Sequence, residues 1–178
     1  MAMSHEKPIL MIHEFRVEML KLPLQNYILT FDDGLYTQFL LIEDLIKIPT
    51  QKIFFISTGI VADTQTNQSN EFITCRDAHD RFKIDGDLSN YMNWEQLLYI
   101  NQQPSCELGG HSHMHKLNNS NIVKDTKQMM MVWKKMKVDV NKFCFPYNDQ
   151  NTVYIKLLQM NGFKQFFGSG RIDINELL

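Results

Sequence analysis

The stretch "YILTFDDGLYTQF", residues 27–39, shows how the chain alternates between strand and helix. Its first part, "YILTF" at 27–31, is a short apolar run with β-branched and aromatic residues, which is typical of a buried strand. Gly34 ends the run, and the segment 34–47 then repeats apolar residues at helical spacing, namely Leu35, Phe39, Ile42 and Ile46. A strand followed at once by a helix is the unit of a parallel α/β fold.

The same alternation continues along the chain. Further apolar runs that predict strands lie at 8–13, 52–57, 106–110, 142–145 and 163–167, and amphipathic stretches that predict helices lie at 93–100, 121–137 and 150–161. This order predicts parallel strands joined by helical crossovers. A complete eight-stranded barrel needs about 250 residues. A chain of 178 residues therefore predicts a single domain, 1–178, that is an incomplete or deformed (β/α) barrel of about six to seven strands.

Composition excludes several classes of function. The formal net charge is −2, so no electrostatic reason exists to expect a nucleic-acid partner. No apolar run is long enough for a transmembrane helix. The first residues, "MAMSHEKPILMIHEF", lack the features of a signal peptide, and the expected location is cytoplasmic. The three cysteines form no C-x-x-C pair, so free thiols are expected.

Residues capable of chemistry follow several predicted strands. His13 follows the first, Asp32 and Asp33 follow the second, and "GGHSHMHKL", residues 109–117, follows the fourth. Because the carboxyl ends of parallel strands meet on one face, these side chains should lie close together. The convergence predicts an active site at that face.

The histidine run suggests a metal site. His111 and His115 are four residues apart, so they could bind one ion from the same side of a helical turn, although a lone H-x-x-x-H also occurs in ordinary polar loops. His113 lies between them and has no assigned role. The pair Asp32–Asp33 could be only a turn before Gly34. Neighbouring side chains point in different directions, however, so one carboxylate could hold the ion while the other faces the attacking water.

Short motifs in a fixed order carry a family resemblance. They are "TFDDG" at 30–34, "HSHMH" at 111–115 and "FPY" at 145–147, with further matches in "ILMIHEF" at 9–15, "MNWEQL" at 92–97 and "GF" at 162–163. In this order the sequence resembles the polysaccharide deacetylases of carbohydrate esterase family four, and the matches extend over most of the chain. The resemblance implies a deformed barrel and the removal of acetyl groups from N-acetylated sugars.

The resemblance also implies roles for individual residues. Asp33, His111 and His115 would hold one divalent ion, with Zn²⁺ expected and Co²⁺, Ni²⁺ or Mn²⁺ as alternatives. Asp32 would be the general base, and the backbone N–H of Tyr147 would bind the oxyanion. The substrate partner would be an N-acetylated carbohydrate.

Three features depart from the family pattern. Many members have an arginine three residues before the tyrosine, where this chain has Cys144. The later aspartate-tryptophan motif is missing, and no histidine follows His115 to act as the general acid. His13 could supply the acid, because "LMIHEF" resembles the first strand of poly-N-acetylglucosamine deacetylases; a buried structural histidine is the alternative. Arg171 could replace the arginine, although no local motif surrounds it.

The segment 59–92 is long and polar, with little periodicity. Its charged residues, Arg76, Asp77, His79 and Asp80, are expected in a solvated loop, or else in a loop that contacts substrate. Trp94, at the start of a predicted helix, is expected in the core rather than in a sugar-stacking wall.

The sequence therefore predicts a metal-dependent N-deacetylase that releases acetate from an N-acetylated sugar or glycan precursor, for example in surface-polysaccharide assembly such as O-antigen. Two other functions compete with it. A carbohydrate-binding module without activity is favoured by Cys144 and the missing motifs, whereas the intact Asp32–Asp33 pair argues against it. A hydrolase of another acylated small molecule would use the same residues.

Overall fold

The computed structural model describes residues 7–115 and 121–178. Its centre is a sheet of seven parallel strands in the order β6-β5-β4-β3-β2-β1-β7. The strands are β1 (Ile9–Ile12), β2 (Ile28–Phe31), β3 (Lys52–Ile56), β4 (Cys106–Gly110), β5 (Lys142–Cys144), β6 (Gln165–Phe167) and β7 (Ile172–Asp173). The helices are α1 (Tyr36–Leu40), α2 (Ile42–Leu45), α3 (Cys75–Asp85), α4 (Trp94–Asn101), α5 (Ile122–Met136) and α6 (Thr152–Met160). Short 3-10 turns lie at Val17–Lys21, Leu24–Asn26, Pro146–Asn148 and Ile174–Leu177.

The connection from β6 to β7 shows how strongly the sheet curls. These strands are the two edges of the sheet, yet only residues 168–171 join them. A connection of that length spans at most roughly 18 Å. The edges must therefore approach each other around the sheet without pairing. The architecture is an incomplete α/β barrel, which confirms the predicted fold class.

The predicted strands and helices agree closely with those observed. Six strands lie within two residues of their predicted bounds, and the capping box that opens α4 is formed by Asn93 and Gln96. The seventh strand, Ile172–Asp173, was not predicted, because two residues are too few for a periodic pattern. The helix predicted over 34–47 is interrupted at Leu41, whose φ of −109° and ψ of 16° are not helical.

The segment 59–92 is not simply a loop, and this corrects the sequence-based expectation. It contains α3, which begins after Thr74, whose Oγ1 accepts a hydrogen bond from the Asp77 N–H at 3.1 Å. The helix ends at Gly86, in the left-handed region at φ 69°. A small apolar cluster that includes Ala78 and Tyr91 packs beneath it. The helix was missed because its few apolar residues give a weak pattern.

The main core fills the space between the sheet and the helices. Phe31 and Phe54, from neighbouring strands, stack with their ring centroids 4.5 Å apart. Trp94 packs edge to face on the buried Trp133, with ring centroids 5.5 Å apart. Trp94 is therefore half-buried and packs against the core, in agreement with the prediction that it serves the core rather than a sugar-stacking wall.

Two findings bear on the expectations drawn from composition. Cys75, Cys106 and Cys144 are all free thiols. Within 7–115 and 121–178, no helix combines the length and the hydrophobicity that crossing a bilayer requires. The prediction about a signal peptide concerns the start of the chain, of which residues 1–6 lie outside the described residues.

Candidate metal centre and active site

The carboxyl ends of the strands surround a pocket of about 300 Å³. All the residues that the sequence singled out for catalysis or metal binding line it, namely His13, Asp32, Asp33, His111, His115 and Tyr147. Cys75, His79 and Arg171 also line it. The parallel topology thus brings distant parts of the chain to one place, as expected for an α/β barrel.

Asp33, His111 and His115 form a compact set of ligand atoms. Asp33 Oδ1 lies 3.1 Å from His115 Nε2 and 3.4 Å from His111 Nε2, and all three residues are buried. Asp33 Oδ1 makes no hydrogen bond of ordinary geometry. Ligands that share one ion at about 2.0–2.2 Å lie about 3–4 Å apart, so this spacing fits a divalent ion.

The other ring nitrogen of His111 supports this arrangement. His111 Nδ1 lies 2.8 Å from the carbonyl oxygen of Cys144, to which an Nδ1–H would donate. With Nδ1 held by this contact, Nε2 faces Asp33 and is the ring atom that could bind an ion, which is the usual way that a protein orients a ligating imidazole.

Among residues 7–115 and 121–178, two other groups of side chains are close enough to consider as metal sites. One comprises Asp32, His111 and Cys144, and the other His13, Asp33 and Cys75. The first is a poor cation site, because both oxygens of Asp32 already accept hydrogen bonds from Arg171. The second would hold an ion with only one imidazole. The set of Asp33, His111 and His115 therefore has the better ligand chemistry.

The two adjacent carboxylates are kept apart by the backbone. Asp33 and Gly34 both have φ of 73°, a left-handed turn that directs the neighbouring side chains to different partners. Asp33 faces the imidazoles, whereas Asp32 faces Arg171, whose two terminal nitrogens each lie 2.8 Å from an Asp32 oxygen. Each carboxylate thus lies beside a different group that can carry positive charge, imidazoles for Asp33 and a guanidinium for Asp32, which offsets the repulsion between the two.

The electrostatics of the site follow from these contacts. Burial acts to raise the pKa of Asp33, but the imidazoles of His115 and His111 hold it well below its ordinary value of 3.8. Burial likewise opposes ionisation of Asp32, and Arg171 more than offsets it, so that this pKa is also lowered. Burial acts to lower the pKa of His111, while Cys144 and Asp33 raise it well above its ordinary value. Both carboxylates are therefore ionised at neutral pH.

Asp125 on α5 holds the loop that carries the two histidines. Its buried carboxylate accepts the backbone N–H groups of His113, at 2.8 Å, and Met114, at 3.0 Å. The loop needs this support because Ser112 and His115 adopt positive φ, at 65° and 49°. Sequence reasoning missed Asp125, since it lies within an ordinary amphipathic helix.

His113, which had no assigned role, does not join the ligand set. Its Nδ1 lies 2.9 Å from Thr58 Oγ1, on the loop after β3. The backbone carbonyl of His113 also accepts the Gly59 N–H at 2.7 Å. This histidine therefore ties its loop to the neighbouring strand end.

His13 lies at the edge of the pocket. Its Nε2 is 3.9 Å from Asp32 Oδ2, and its side chain is 29% exposed, so it is accessible to a bound molecule. Gln38 fixes its backbone, because Gln38 Nε2 donates to the carbonyl oxygens of His13 at 2.6 Å and Asp32 at 2.8 Å. The ends of β1 and β2 are thereby held together.

Tyr147 lines the pocket from the turn after β5. Its backbone is left-handed, with φ of 57° and ψ of 19°, and its ring packs edge to face on His115 at 4.8 Å between centroids. The phenol is largely exposed, at 64%. Tyr147 therefore forms one wall of the pocket.

His79, expected in a solvated loop, is instead a buried residue of the pocket. Helix α3 directs its Nε2 to 3.6 Å from Asp33 Oδ1, and its ring stacks on His115 with centroids 4.3 Å apart. Burial lowers the pKa of His79 to about 4. The only sequence signal was the spacing of Cys75 and His79, which places both on one face of a helix.

Searches against known proteins extend these observations. No protein-family model and no curated protein matches the sequence. Solved structures do match. The chain is similar to IcaB from Ammonifex degensii, with a TM-score of 0.65, 16% identity, and coverage of 94% of this chain and 85% of that one.

Two other matches have similar values. A de-N-acetylase from Aggregatibacter actinomycetemcomitans has a TM-score of 0.59 and 15% identity, covering 91% of this chain and 77% of that one. A polysaccharide deacetylase from Bacillus cereus has a TM-score of 0.62 and 10% identity, covering 94% of this chain and 64% of that one. At these identities the likeness concerns the backbone. The chain has the fold of the polysaccharide deacetylases.

Proposed function

We propose that this chain is a metal-dependent deacetylase, which cleaves the amide bond of an N-acetylated sugar to give acetate and a free amine. One observation carries the proposal: two adjacent buried carboxylates have different partners. Asp33 shares its free oxygen with His111 and His115, and Asp32 is paired with Arg171. A site that only bound metal would need Asp33 but would have no use for an ionised Asp32.

The ligand set fits a divalent ion. The oxygen of Asp33 is buried without a hydrogen bond, and two imidazole nitrogens face it. An ion bound there would polarise the acetyl carbonyl and lower the pKa of a water molecule. Zn²⁺ is the first candidate, since two histidines and a carboxylate are typical of catalytic zinc; Co²⁺, Ni²⁺ and Mn²⁺ are the alternatives.

The side chains around this position have distinct proposed tasks. Asp32 accepts the proton of the attacking water, and Arg171 keeps the carboxylate ionised and oriented. The backbone N–H of Tyr147 donates to the oxyanion of the tetrahedral intermediate. His13, on the accessible side of Asp32, donates a proton to the departing nitrogen, because an amide nitrogen leaves poorly as an anion.

For the substrate we propose a small glycan precursor, of the kind used in surface-polysaccharide assembly within the cytoplasm. The pocket of about 300 Å³ supports this proposal, because it lies at the small end of the range for ligand sites. The similar fold of the Bacillus cereus protein, which is named a polysaccharide deacetylase, supports a sugar as the class of substrate. The same pocket volume would also suit another small acylated molecule, which is the second candidate.

The test is acetate release from a panel of N-acetylated sugar nucleotides, oligosaccharides and other acylated metabolites, with zinc, cobalt or nickel added. Asp32→Asn should lower turnover by about 10²-fold or more while the protein still binds metal. Asp44→Asn, an exposed surface residue, is the matched control. Unchanged turnover in Asp32→Asn would reject the assignment of the base. A protein that binds oligosaccharides but releases no acetate would be the carbohydrate-binding module.

A further inference from the structure

We propose that the outer face of α5 and α6 is a docking surface for a bilayer that contains anionic lipids. We call it the lysine face. Its exposed charged residues are Lys124, Lys127, Lys134, Lys135 and Lys156. Its exposed apolar residues are Val123, Met131, Val153 and Met160. The inference goes beyond the proposed reaction, because it assigns the chain a place at a membrane surface.

The first support is the uneven distribution of charge along the chain. The segment 122–164 has eight lysines and three aspartates, which gives it a net charge of +5. The whole chain has a net charge of −2, so the remaining residues together carry −7. A protein with its positive charge on one side is attracted to an anionic partner through that side and is repelled through the others.

The second support is that no carboxylate neutralises these lysines. The only acidic residue on either helix is Asp125, which is buried and accepts the loop N–H groups described above. Exposed lysines elsewhere do have partners, since Lys47 pairs with Asp44 and Lys83 with Asp80. Among residues 7–115 and 121–178, no such ion pair involves a lysine of the lysine face. Its charge therefore remains available to a partner.

The third support is that apolar side chains project between the lysines. Along α5, Val123, Lys127 and Met131 follow one another at intervals of four residues, which places them on one side of the helix. The corresponding set on α6 is Val153, Lys156 and Met160. The apolar members are 57% to 85% exposed. The lysine face thus combines positive charge with apolar surface, as helices that lie in a membrane interface do.

The types of side chain favour a bilayer over other anionic partners. A nucleic acid would neutralise the lysines but would offer no apolar layer to the methionines. Protein interfaces are enriched in arginine and aromatic residues and depleted in lysine. All eight positive charges of the segment 122–164 are lysines, and the aromatic residues of the two helices, Trp133 and Tyr154, are buried. In an anionic bilayer, lysines contact the headgroups while apolar side chains enter between them.

The position of the lysine face connects it with the pocket. Helix α5 follows β4 and the loop of His111 and His115, and α6 follows β5 and the turn of Tyr147. Both helices therefore begin at the carboxyl ends of the strands, where the pocket lies. A chain docked through them would keep the pocket near the lipid headgroups, within reach of a glycan precursor that is linked to a lipid. This consequence rests on the proposed function, whereas the docking itself does not.

The experiment measures binding to lipid vesicles and involves no enzymatic step. The full chain is sedimented with vesicles of phosphatidylcholine alone and with vesicles of phosphatidylcholine mixed with phosphatidylglycerol, at low and at high salt. We expect the chain to bind only the mixed vesicles. We expect high salt to weaken this binding, because dissolved ions screen exposed charges.

Substitutions within the lysine face test both of its components. The triple variant Lys127→Gln, Lys134→Gln and Lys156→Gln should bind the anionic vesicles about 10²-fold more weakly, since each lysine near such a surface contributes about fivefold. The double variant Met131→Gln and Met160→Gln keeps the charge and should bind about tenfold more weakly, because less apolar surface enters the bilayer.

A second triple variant is the matched control. Lys21→Gln, Lys47→Gln and Lys83→Gln remove three exposed lysines outside α5 and α6, so the net charge changes by the same amount. This variant should bind the anionic vesicles like the wild type. Circular dichroism verifies that every variant is folded.

Three results would overturn the proposal. If the two triple variants bind equally, overall charge and not this face attracts the vesicles. If the methionine variant binds like the wild type, the face is only a site for polyanions. If the wild type binds neither kind of vesicle, no bilayer docks there, and an acidic protein partner is the remaining explanation for the lysines. Vesicle binding without acetate release would reject the proposed reaction and keep the docking surface, and acetate release without vesicle binding would do the reverse.

Discussion

Arg171 and Asp32 form a paired contact across the inside of the barrel, with both distances at 2.8 Å. Arg171 immediately precedes β7, and Asp32 immediately follows β2. The same guanidinium lies 3.0 Å from the sulfur of Cys144, the position at which many polysaccharide deacetylases carry arginine. The guanidinium beside Asp32 thus comes from the residue before β7 and not from position 144 at the end of β5.

Removal of this charge should impair both stability and activity. We expect Arg171→Ala to lower the free energy of unfolding by about 3 kcal/mol, because it leaves the buried Asp32 carboxylate unpaired. We expect acetate release to fall by about 10²-fold. Urea unfolding and acetate assays measure the two effects. Arg171→Lys should recover only part of either, since lysine cannot make the paired contact. An Arg171→Ala protein with wild-type turnover would show that Asp32 needs no orienting partner.

An arginine returned to position 144 should compensate for the loss. Because Cys144 Sγ lies 3.5 Å from Asp32 Oδ2, the side chain of Cys144→Arg could occupy the space left by Arg171→Ala. We expect the double variant to recover at least about tenfold of the lost turnover. Cys144→Arg alone, which crowds two guanidiniums together, is the comparison. If the double variant is no more active than Arg171→Ala, an arginine at position 144 does not take the place of Arg171 beside Asp32.

The support that Asp125 provides should be visible in metal affinity. Asp125→Asn replaces one accepting oxygen with a donor, so it cannot accept both loop N–H groups. We expect affinity for Zn²⁺ to fall by about 10-fold to 100-fold, as for other residues that orient ligands. Chelator competition measures it, with Asp80→Asn on the exposed side of α3 as control. If the two variants bind zinc equally, the loop holds its shape without Asp125.

His13 should affect catalysis without affecting metal binding. Its side chain lies beside Asp32 and does not belong to the group of Asp33, His111 and His115, so His13→Ala should lower turnover by about 10²-fold or more and leave zinc affinity unchanged. A substrate with a leaving group that needs no proton, such as an aryl acetate ester, should be hydrolysed almost normally by the variant. Equal losses on the amide and on the ester would return His13 to a structural role.

The Asp32–Arg171 pair should also make stability depend on pH in the acid range. The pKa of Asp32 in the folded protein lies below its ordinary value of 3.8, so the folded state binds this proton less readily than the unfolded state does. The stabilisation is therefore fully present above about pH 5 and is lost as pH falls through the lowered pKa.

Asp32→Asn removes that dependence. In urea unfolding of the metal-free proteins, the difference in stability between wild type and Asp32→Asn should be constant from pH 5 to pH 7. Below about pH 4, the wild type should lose stability relative to Asp32→Asn. Other titrating groups contribute to both proteins and largely cancel. A difference that stays constant down to about pH 2 would mean that Arg171 does not lower this pKa.

The local pattern of the chain was sufficient for most of the fold. Strand-forming runs end in Asp32–Asp33 and before His111, and parallel strands necessarily bring such ends to one face. The same reasoning placed the predicted ligands in one pocket, where the structure has them. These features depend on short apolar runs and on a general rule of parallel sheets, so residues that are close together in the sequence are enough to predict them.

The tertiary structure alone decided which side chains complete the site. Asp32 and Arg171 are 139 positions apart, and β7, which follows Arg171, is too short to recognise. His79 reaches Asp33 from a helix that few apolar residues mark, and Asp125 braces its loop from a helix packed behind it. Such contacts depend on how a curled sheet brings its edges and helices together in space. A local sequence pattern cannot predict these contacts, because each contact joins residues that are far apart in the chain.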